Sequence, residues 1–217
     1  LVSREGVTEM SKYVVRLYTN EKQSVAPFFE ILDNEEYQTK YRKIAILSIN
    51  DEYGKSVSNS ILELANQNDI EVVAHEWYSI TDNDLRTQLT KIKEKSPDIV
   101  LFLGITPAHV TNSLKQLREL GIDADFFDTS SMLSIPSVRS ALGETVEGAY
   151  TRVEHFGLEK ESEFRSEYKR KYNLDPLMPA SYGYDIITLI GKASNGERLD
   201  AEALLENVVS MREFNSL

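Results

Sequence analysis

The feature that most constrains the fold is a repeated switch between short apolar runs and helical spacing, which begins at residue 43. The runs are rich in β-branched and aromatic side chains and predict strands, while the segments between them place apolar residues three and four positions apart. Strands that alternate with helices are typical of βαβ units, whose strands pair in parallel. The predicted strands are 43–49, 70–78, 98–104, 124–128 and 147–156. We therefore expect residues 43–149 to form one α/β unit with a five-stranded, mostly parallel sheet.

The helices between these strands are predicted from apolar faces and from end signals. Thr106 followed by Pro107 is typical of an N-cap and a first helical residue, and Gly121 after Leu120 is typical of a helix end. The predicted apolar faces are Val57, Ile61, Leu64 and Ala65; Leu85, Leu89 and Ile92; and Val110, Leu114 and Leu117. The same patterns predict core positions at Ile46, Val100, Phe102 and Leu114.

The flanking segments have a different pattern. Residues 13–18 (YVVRLY) predict a short strand, and residues 22–33 predict an amphipathic helix. The segment after the sheet is helical, with predicted helices at 159–172, 179–194 and 201–210, the last begun by Asp200 as N-cap. A lone strand leaves its backbone groups unpaired. We therefore expect residues 1–42 and 150–217 to be parts of a second α/β layer, and the chain to be a fragment.

Composition excludes several classes of function. With 35 acidic and 24 basic residues the net charge is −11, which disfavours binding to nucleic acid or to anionic lipid. The chain has no cysteine, so disulfides, zinc–thiolate sites, iron–sulfur clusters and thiol catalysis are excluded. Apolar runs such as 99–105 are shorter than the roughly 18 residues that cross a bilayer. We expect no cofactor and no membrane span in this chain.

Motifs of catalysis are weak. Gly54-Lys55-Ser56 follows a predicted strand, as a phosphate-binding loop does, but the glycine needed five residues earlier is Ile49, and two acidic residues precede Gly54. Gly54 is therefore interpreted as part of a tight strand-to-helix turn. The three histidines have no metal-ligand spacing, and no GxSxG nucleophile motif occurs.

An open parallel sheet offers a ligand crevice outside the carboxyl ends of its strands. The loops predicted there are 50–53, 79–84, 105–107 and 129–134. They carry hydroxyls and amides in front of helix N-termini, which suits a carboxylate or another small polar group. Tyr53 has two interpretations from sequence, as a ligand contact or as an aromatic that packs on its own helix.

Several motifs in fixed order give the chain a resemblance. They are IAIL (44–47), DEYGKS (51–56), EVVAHEWY (71–78), DLRTQLTKIKEKSPDIVLF (84–102), LKQLRELGI (114–122), GETVEGAY (143–150), FRSEYKRKYN (164–173) and SYGYDIITLIGKA (181–193). Together they resemble the periplasmic binding proteins of type 1, the leucine/isoleucine/valine-binding kind. The resemblance implies an α/β fold with two Rossmann-like lobes that hold a ligand between them. Residues 43–149 would then be a nearly complete second lobe, and residues 1–42 and 150–217 an incomplete first lobe.

The resemblance also implies a set of ligand-binding residues. Tyr53, in the turn begun by Asp51, matches a tyrosine that closes on the ligand, while Ile105 stands where the family has an aromatic residue. Ser131 falls where an acidic residue often holds a ligand ammonium, which predicts a ligand without a free α-ammonium, such as an organic acid or an amide. The alternative is that Asp128, the one carboxylate close by in this segment, or an acidic residue of the first lobe supplies the charge. The expected ligand-binding residues are Asp51, Tyr53, Ile105, Thr106, Thr129, Ser130 and Ser131, with Ser3 and Thr8 from the first lobe.

The function predicted on this basis is that of a periplasmic or cell-surface solute-binding protein of an ABC importer. Its ligand would be a small polar metabolite, either amino-acid-like, an organic acid or an amide, and its partner would be a membrane permease. A ligand-sensing domain of a receptor or regulator is the alternative. An α/β enzyme is the third hypothesis, with Asp51, Tyr53 and Ser131 as the residues to test.

Overall fold

The computed structural model describes residues 6–153 and 158–211. It contains two compact units, which are treated separately below. The sheet unit is Asn20–Val153, and the helical unit is formed by Leu1–Thr19 together with Glu154–Leu217.

Five strands of the sheet unit form one parallel sheet, in the order β2-β1-β3-β4-β5. The strands are β1 (Lys43–Ile49), β2 (Glu71–Tyr78), β3 (Ile99–Leu103), β4 (Asp125–Asp128) and β5 (Ala149–Thr151). The predicted five-stranded parallel sheet is confirmed. The fifth strand is shorter than predicted, and residues 154–156 of that prediction lie outside the described residues.

Six α-helices of the sheet unit surround the sheet. They are α1 (Glu21–Glu30), α2 (Glu35–Lys40), α3 (Glu52–Gln67), α4 (Arg86–Lys93), α5 (Pro107–Glu119) and α6 (Pro136–Leu142). The N-cap predicted for α5 is confirmed, because the Thr106 hydroxyl accepts the His109 N–H at 3.2 Å. At the other end of α5, Gly121 has a φ of +63°, the left-handed conformation in which glycine commonly ends a helix.

Successive strand residues point to opposite faces of the sheet, and helices cover both faces. On β1, Ala45, Leu47 and Ile49 join a core with α4, α5 and α6, whereas Ile44 and Ile46 join a second core with α1 and α3. The predicted core positions Ile46, Val100, Phe102 and Leu114 are confirmed, since each is 0% exposed. Helices on both faces of a parallel sheet make this unit doubly wound.

The sheet unit begins earlier than the boundary predicted at residue 42. Helix α1 buries Val25, Phe28 and Phe29 in the same core as Ile46, and Phe28 lies 5.2 Å from Phe127 between ring centroids. Residues 20–42 therefore pack on the sheet, contrary to the expectation that they belong with the first 19 residues. The physical reason is that one sheet face needs an apolar cover, which α1 and α3 supply together.

The helical unit contains α7 (Leu158–Tyr172), α8 (Met178–Ser194) and α9 (Ala201–Ser210), and its helices agree with the prediction. Asp200 caps α9 by accepting the Ala203 N–H at 2.9 Å, as predicted, and the Asn207 side chain donates to the Ala193 carbonyl at 2.8 Å. The predicted strand at 13–18 is wrong, because this segment pairs with no strand among the described residues. An apolar alternation gives a strand only where a partner satisfies its backbone groups.

Apolar side chains remain exposed on the helical unit. Ile187 and Val209 are both 70% exposed. Ten side chains line a cavity of about 330 Å³ within this unit: Tyr13, Val15, Leu17, Ile186, Leu189, Ile190, Ala201, Leu204, Leu205 and Val208. Across residues 6–153 and 158–211, no helix combines the length and the apolar character that a bilayer crossing requires.

Candidate functional site

Seven of the nine predicted ligand-binding residues lie at one edge of the sheet. We call this the carboxyl edge, formed by the loops that follow β1 (50–53), β3 (104–107) and β4 (129–134). Because β1, β3 and β4 are adjacent parallel strands, their carboxyl ends meet at the same edge. Backbone bonds join the loops to neighbouring strands, with Asn50 N–H donating to the Tyr78 carbonyl at 2.7 Å and Thr129 N–H to the Phe102 carbonyl at 3.1 Å.

The loop after β1 is a tight turn into α3. The exposed Asp51 caps the helix by accepting the Gly54 N–H at 2.7 Å. A Cβ atom on Gly54 would lie 1.9 Å from the Ile49 carbonyl oxygen, so this position requires glycine and the tight-turn interpretation holds. Tyr53 is half-buried and packs against both cores of the sheet unit. The structure thus supports the packing interpretation of Tyr53 and keeps part of its surface accessible to a ligand.

The loop after β3 supplies an aliphatic wall and a capped helix. Ile105 is half-buried against the core, and Thr106 follows it as N-cap of α5. The first-turn amides of α5 therefore point toward the carboxyl edge, as the orphan N–H groups at a helix start do.

The loop after β4 is organised by a carboxylate that the sequence only suggested. Asp128 is 0% exposed. Its Oδ1 accepts the Ser130 N–H at 2.9 Å and the Ser130 hydroxyl, while its Oδ2 accepts the Leu133 N–H at 2.8 Å and lies 3.0 Å from the Thr151 hydroxyl. A carboxylate with four such donors is stabilised inside the protein.

The two residues on either side of Ser130 differ in what their hydroxyls do. The Thr129 hydroxyl is buried and donates to the Phe102 carbonyl at 3.1 Å, a bond within the sheet unit. Ser131 has a φ of +65°, and its Oγ is buried without a hydrogen-bond partner. Contact of either hydroxyl with a ligand stays a prediction. The Ser131 hydroxyl has no hydrogen-bond partner in the protein, whereas the Thr129 hydroxyl already donates to Phe102.

Three buried polar residues behind the carboxyl edge were not predicted. The Tyr78 hydroxyl donates to the Leu103 carbonyl at 2.6 Å, and the His109 ring bonds the Ile80 carbonyl at 3.0 Å. Gln116 accepts the Leu85 N–H at 2.6 Å and donates to the Asn83 carbonyl at 2.8 Å. The sequence does not predict these hydrogen bonds, because a tyrosine, a histidine or a glutamine near apolar residues gives no indication of which backbone group it will contact.

Residues of the predicted site influence the pKa of Tyr78. The pKa of its phenol is raised above the ordinary value, first by burial and then by electrostatic interaction with Asp51, Tyr53 and Asp128. Tyr78 is therefore a neutral hydrogen-bond donor at physiological pH. Its ring stacks on Phe102 at 5.6 Å and meets His109 edge-on at 5.3 Å, which makes a rigid base for the loops.

The two remaining predicted residues belong elsewhere. Thr8 lies in a 3-10 turn of the helical unit (Val7–Glu9) and is exposed, and Ser3 lies outside the described residues. Within the part of the chain that the structure describes, no group of three or more acidic or histidine side chains is placed to hold a metal ion.

The sequence model of the family described as "Periplasmic binding protein" matches residues 2–217. The chain belongs to this family. A Leu/Ile/Val-binding protein of Citrobacter freundii is 23% identical over 111 residues, which cover 51% of this chain and 30% of that protein. The resemblance that the motifs predicted is thereby confirmed, and with it the α/β fold.

Solved structures of periplasmic binding proteins share the fold. A leucine-binding protein of Thermotoga maritima superposes with a TM-score of 0.80 at 20% identity, over 97% of this chain and 60% of that one. A branched-chain amino acid binding protein of Streptococcus pneumoniae in complex with isoleucine gives 0.78 at 21% identity, over 99% and 61%. A fatty acid binding protein of an ABC transporter from Thermomonospora curvata gives 0.73 at 21% identity, over 92% and 54%. The chain thus spans about 60% of the length of the first two structures.

Proposed function

We propose that the full-length protein is an extracytoplasmic solute-binding protein of an ABC importer, with a membrane permease as its partner. It binds a small polar metabolite, amino-acid-like, an organic acid or an amide, between two lobes that close by hinge motion. It performs no chemistry on the ligand. The proposal assigns residues 20–153 to one lobe and the remainder to the other, so that residues 20–42 and 150–153 move from the predicted first lobe to the lobe that contains the sheet.

The observation that carries the proposal is the mixed character of the carboxyl edge. Tyr53 and Ile105 are half-buried apolar surfaces, and beside them lie the N-terminus of α5 and the Ser131 hydroxyl. Binding sites for small metabolites combine such apolar walls with a few fixed polar groups. The family membership and the names of the structural relatives, which describe binding proteins for leucine, isoleucine and fatty acids, support the same class of function.

The proposed binding mode gives each group a task. The Tyr53 ring and the Ile105 side chain cover the apolar part of the solute, so that burial of this surface drives binding. Backbone N–H groups at the start of α5 favour a carboxylate or a carbonyl oxygen. A site that only binds and releases needs no nucleophile and no general base, which fits the absence of a catalytic motif in the sequence.

Native mass spectrometry of the full-length protein tests the proposal, followed by thermal-shift measurements with leucine, isoleucine, valine, their α-keto acids and octanoate. We expect a small molecule to co-purify or one of these probes to raise the melting temperature. Tyr53→Ala should weaken binding of that molecule at least tenfold, about 1.4 kcal/mol.

Tyr37→Ala is the matched control, because Tyr37 is also half-buried but lies on α2, before β1 begins. An equal loss of affinity in both variants would contradict the site. A protein that releases no small molecule and responds to no probe would contradict the function.

A further inference from the structure

Both oxygens of the Asp128 carboxylate accept hydrogen bonds from within the protein. The residue is 0% exposed, and the donors belong to Ser130, Leu133 and Thr151. A ligand ammonium could reach it only if those donors gave up their bonds and lost a charged acceptor. Asp128 therefore shapes the turn that follows it and is closed to the ligand.

The neighbouring loops offer little negative charge in its place. Among the described residues that follow β2, Asp82 accepts the Ser79 N–H at 2.7 Å, and Asp84 pairs with Arg86 at 3.1 Å. After β1, Asp51 caps α3 and is exposed. An exposed carboxylate holds an ammonium weakly because water competes for both groups. Asp51 is nevertheless the competing anchor, and the experiment includes it.

The Ser131 hydroxyl is a buried polar group of the carboxyl edge that has no partner in the described residues. Its oxygen is buried, although the residue as a whole is half-buried. A buried hydroxyl without a partner is unfavourable, so a ligand that bonds to it satisfies a group that the protein leaves unsatisfied. Part of the residue is accessible, and rotation about χ1 moves its oxygen among staggered positions. A hydroxyl both donates and accepts, and it carries no charge to match an ammonium.

Apolar side chains lie in the same loop as this hydroxyl. Met132 directly follows Ser131, Ile135 lies four residues after Ser131, and both are half-buried against the same core as Ile105 and Tyr53. An ammonium in such surroundings, without a carboxylate partner, is strongly disfavoured, whereas a ketone, an amide or a carboxylate oxygen can accept the Ser131 proton.

We propose that Asp128 is a positioning residue that fixes the Thr129–Ser131 turn, and that Ser131 makes the site select solutes without an α-ammonium. The preferred solute has an aliphatic part and a carboxylate, keto or amide oxygen. This inference rests on the proposed function, because it names the solute class of the same site.

Isothermal titration of the full-length protein tests it with three probes that share one aliphatic skeleton: leucine, 4-methyl-2-oxopentanoate and 4-methylpentanamide. We expect the keto acid or the amide to bind at least tenfold more tightly than leucine. Ser131→Ala should weaken binding of the preferred probe five- to tenfold without lowering the melting temperature, because the hydroxyl that it removes has no partner in the protein. Ser130→Ala is the control for the turn itself, because it removes the Ser130 hydroxyl from Asp128 and should lower stability.

A charge-only comparison sharpens the test. Ser131→Asp and Ser131→Asn place side chains of the same shape at a left-handed position that both residues tolerate. We expect Ser131→Asp to shift preference toward leucine by at least tenfold, and Ser131→Asn not to do so.

Three results would overturn the inference. The first is a wild-type preference for leucine of tenfold or more, whether or not Asp51→Asn abolishes it. The second is unchanged binding in Ser131→Ala, and the third is a co-purifying solute that contains an α-ammonium. A co-purifying solute without one supports the inference even when none of the three probes binds. A failed inference with a bound amino acid leaves the proposed function intact, whereas a protein that binds no solute at all removes both.

Discussion

The sheet unit and the helical unit differ in what covers their apolar side chains. In the sheet unit, Phe102 and Leu47 are 0% exposed because helices lie on both faces of the sheet. In the helical unit, α8 and α9 are equally regular helices and Asp200 caps α9, yet Ile187 and Val209 are 70% exposed. Apolar periods and helix caps thus predict helices in both units. Among the described residues, only the sheet unit has a sheet, and helices that pack on it give that unit a layered core.

The largest expected effect concerns the core of the sheet unit. Phe102→Ala should lower the free energy of unfolding by about 3–5 kcal/mol, since it removes a ring stacked on Tyr78 and Phe126. Ile187→Ala in the helical unit should change it by less than about 0.5 kcal/mol, because that side chain is exposed. Urea denaturation of both variants measures the contrast. Similar losses in the two variants would show that the exposed surface of the helical unit is buried in solution.

The next effect concerns the loop behind the carboxyl edge. Gln116→Leu leaves the Leu85 N–H and the Asn83 carbonyl without their partners, which should cost about 1–3 kcal/mol. Hydrogen exchange at the Leu85 amide should rise in this variant. Gln67→Leu is a control on an exposed helix position, where we expect no change in exchange at Leu85. Equal protection of Leu85 in both variants would contradict the role of Gln116.

A pair of helix caps compares the two units directly. Thr106→Ala in the sheet unit and Asp200→Ala in the helical unit should each destabilise their helix by about 1 kcal/mol. Thr106→Ser and Asp200→Asn keep a capping oxygen and serve as controls. If the units unfold separately, calorimetry should show that each Ala variant moves a different transition. A shift of one common transition by both variants would show that the units unfold together.

The smallest effect is a pH dependence at the edge strand β2. The pKa of His75 is lowered by burial, which outweighs the opposite influence of Glu76. Because the folded protein prefers the neutral ring, its stabilising contribution is complete above the ordinary pKa of 6.5 and is lost as the pH falls through the lowered value. His75→Gln should therefore reduce the drop in melting temperature between about pH 7.5 and about pH 5.5. An unchanged drop would assign the pH dependence to other groups.

Sequence alone predicted the sheet well, because strands such as β1 and β3 are apolar on both faces and the helices between the strands show their own period. Strand β1 lies at residues 43–49 as its apolar run predicts, and in α5, residues 107–119, the apolar period agrees with the Thr106 cap. The strand predicted at 13–18 failed because strand formation depends on a partner that the pattern does not contain. The boundary at residue 42 failed for a related reason, since amphipathicity in α1 does not reveal which apolar surface it covers.

The candidate site was predictable to the level of loops but not of atoms. Parallel pairing dictates that the residues after β1, β3 and β4 meet, so the edge followed from the order of elements. The different tasks of Thr129 and Ser131 did not follow, because both are hydroxyl residues in one turn. Their roles depend on the bonds of Asp128, and those bonds exist only in the folded turn.

A crystal structure of the full-length protein with its co-purifying solute tests the central claim most directly. The account predicts that the solute lies against Tyr53 and Ile105 and within hydrogen-bonding distance of the Ser131 hydroxyl. A cavity of about 580 Å³ at the opposite edge of the sheet, bordered by Lys40 and Asp125, should be free of solute. Solute density in that cavity, or a solute that does not touch the loops after β1, β3 and β4, would contradict it.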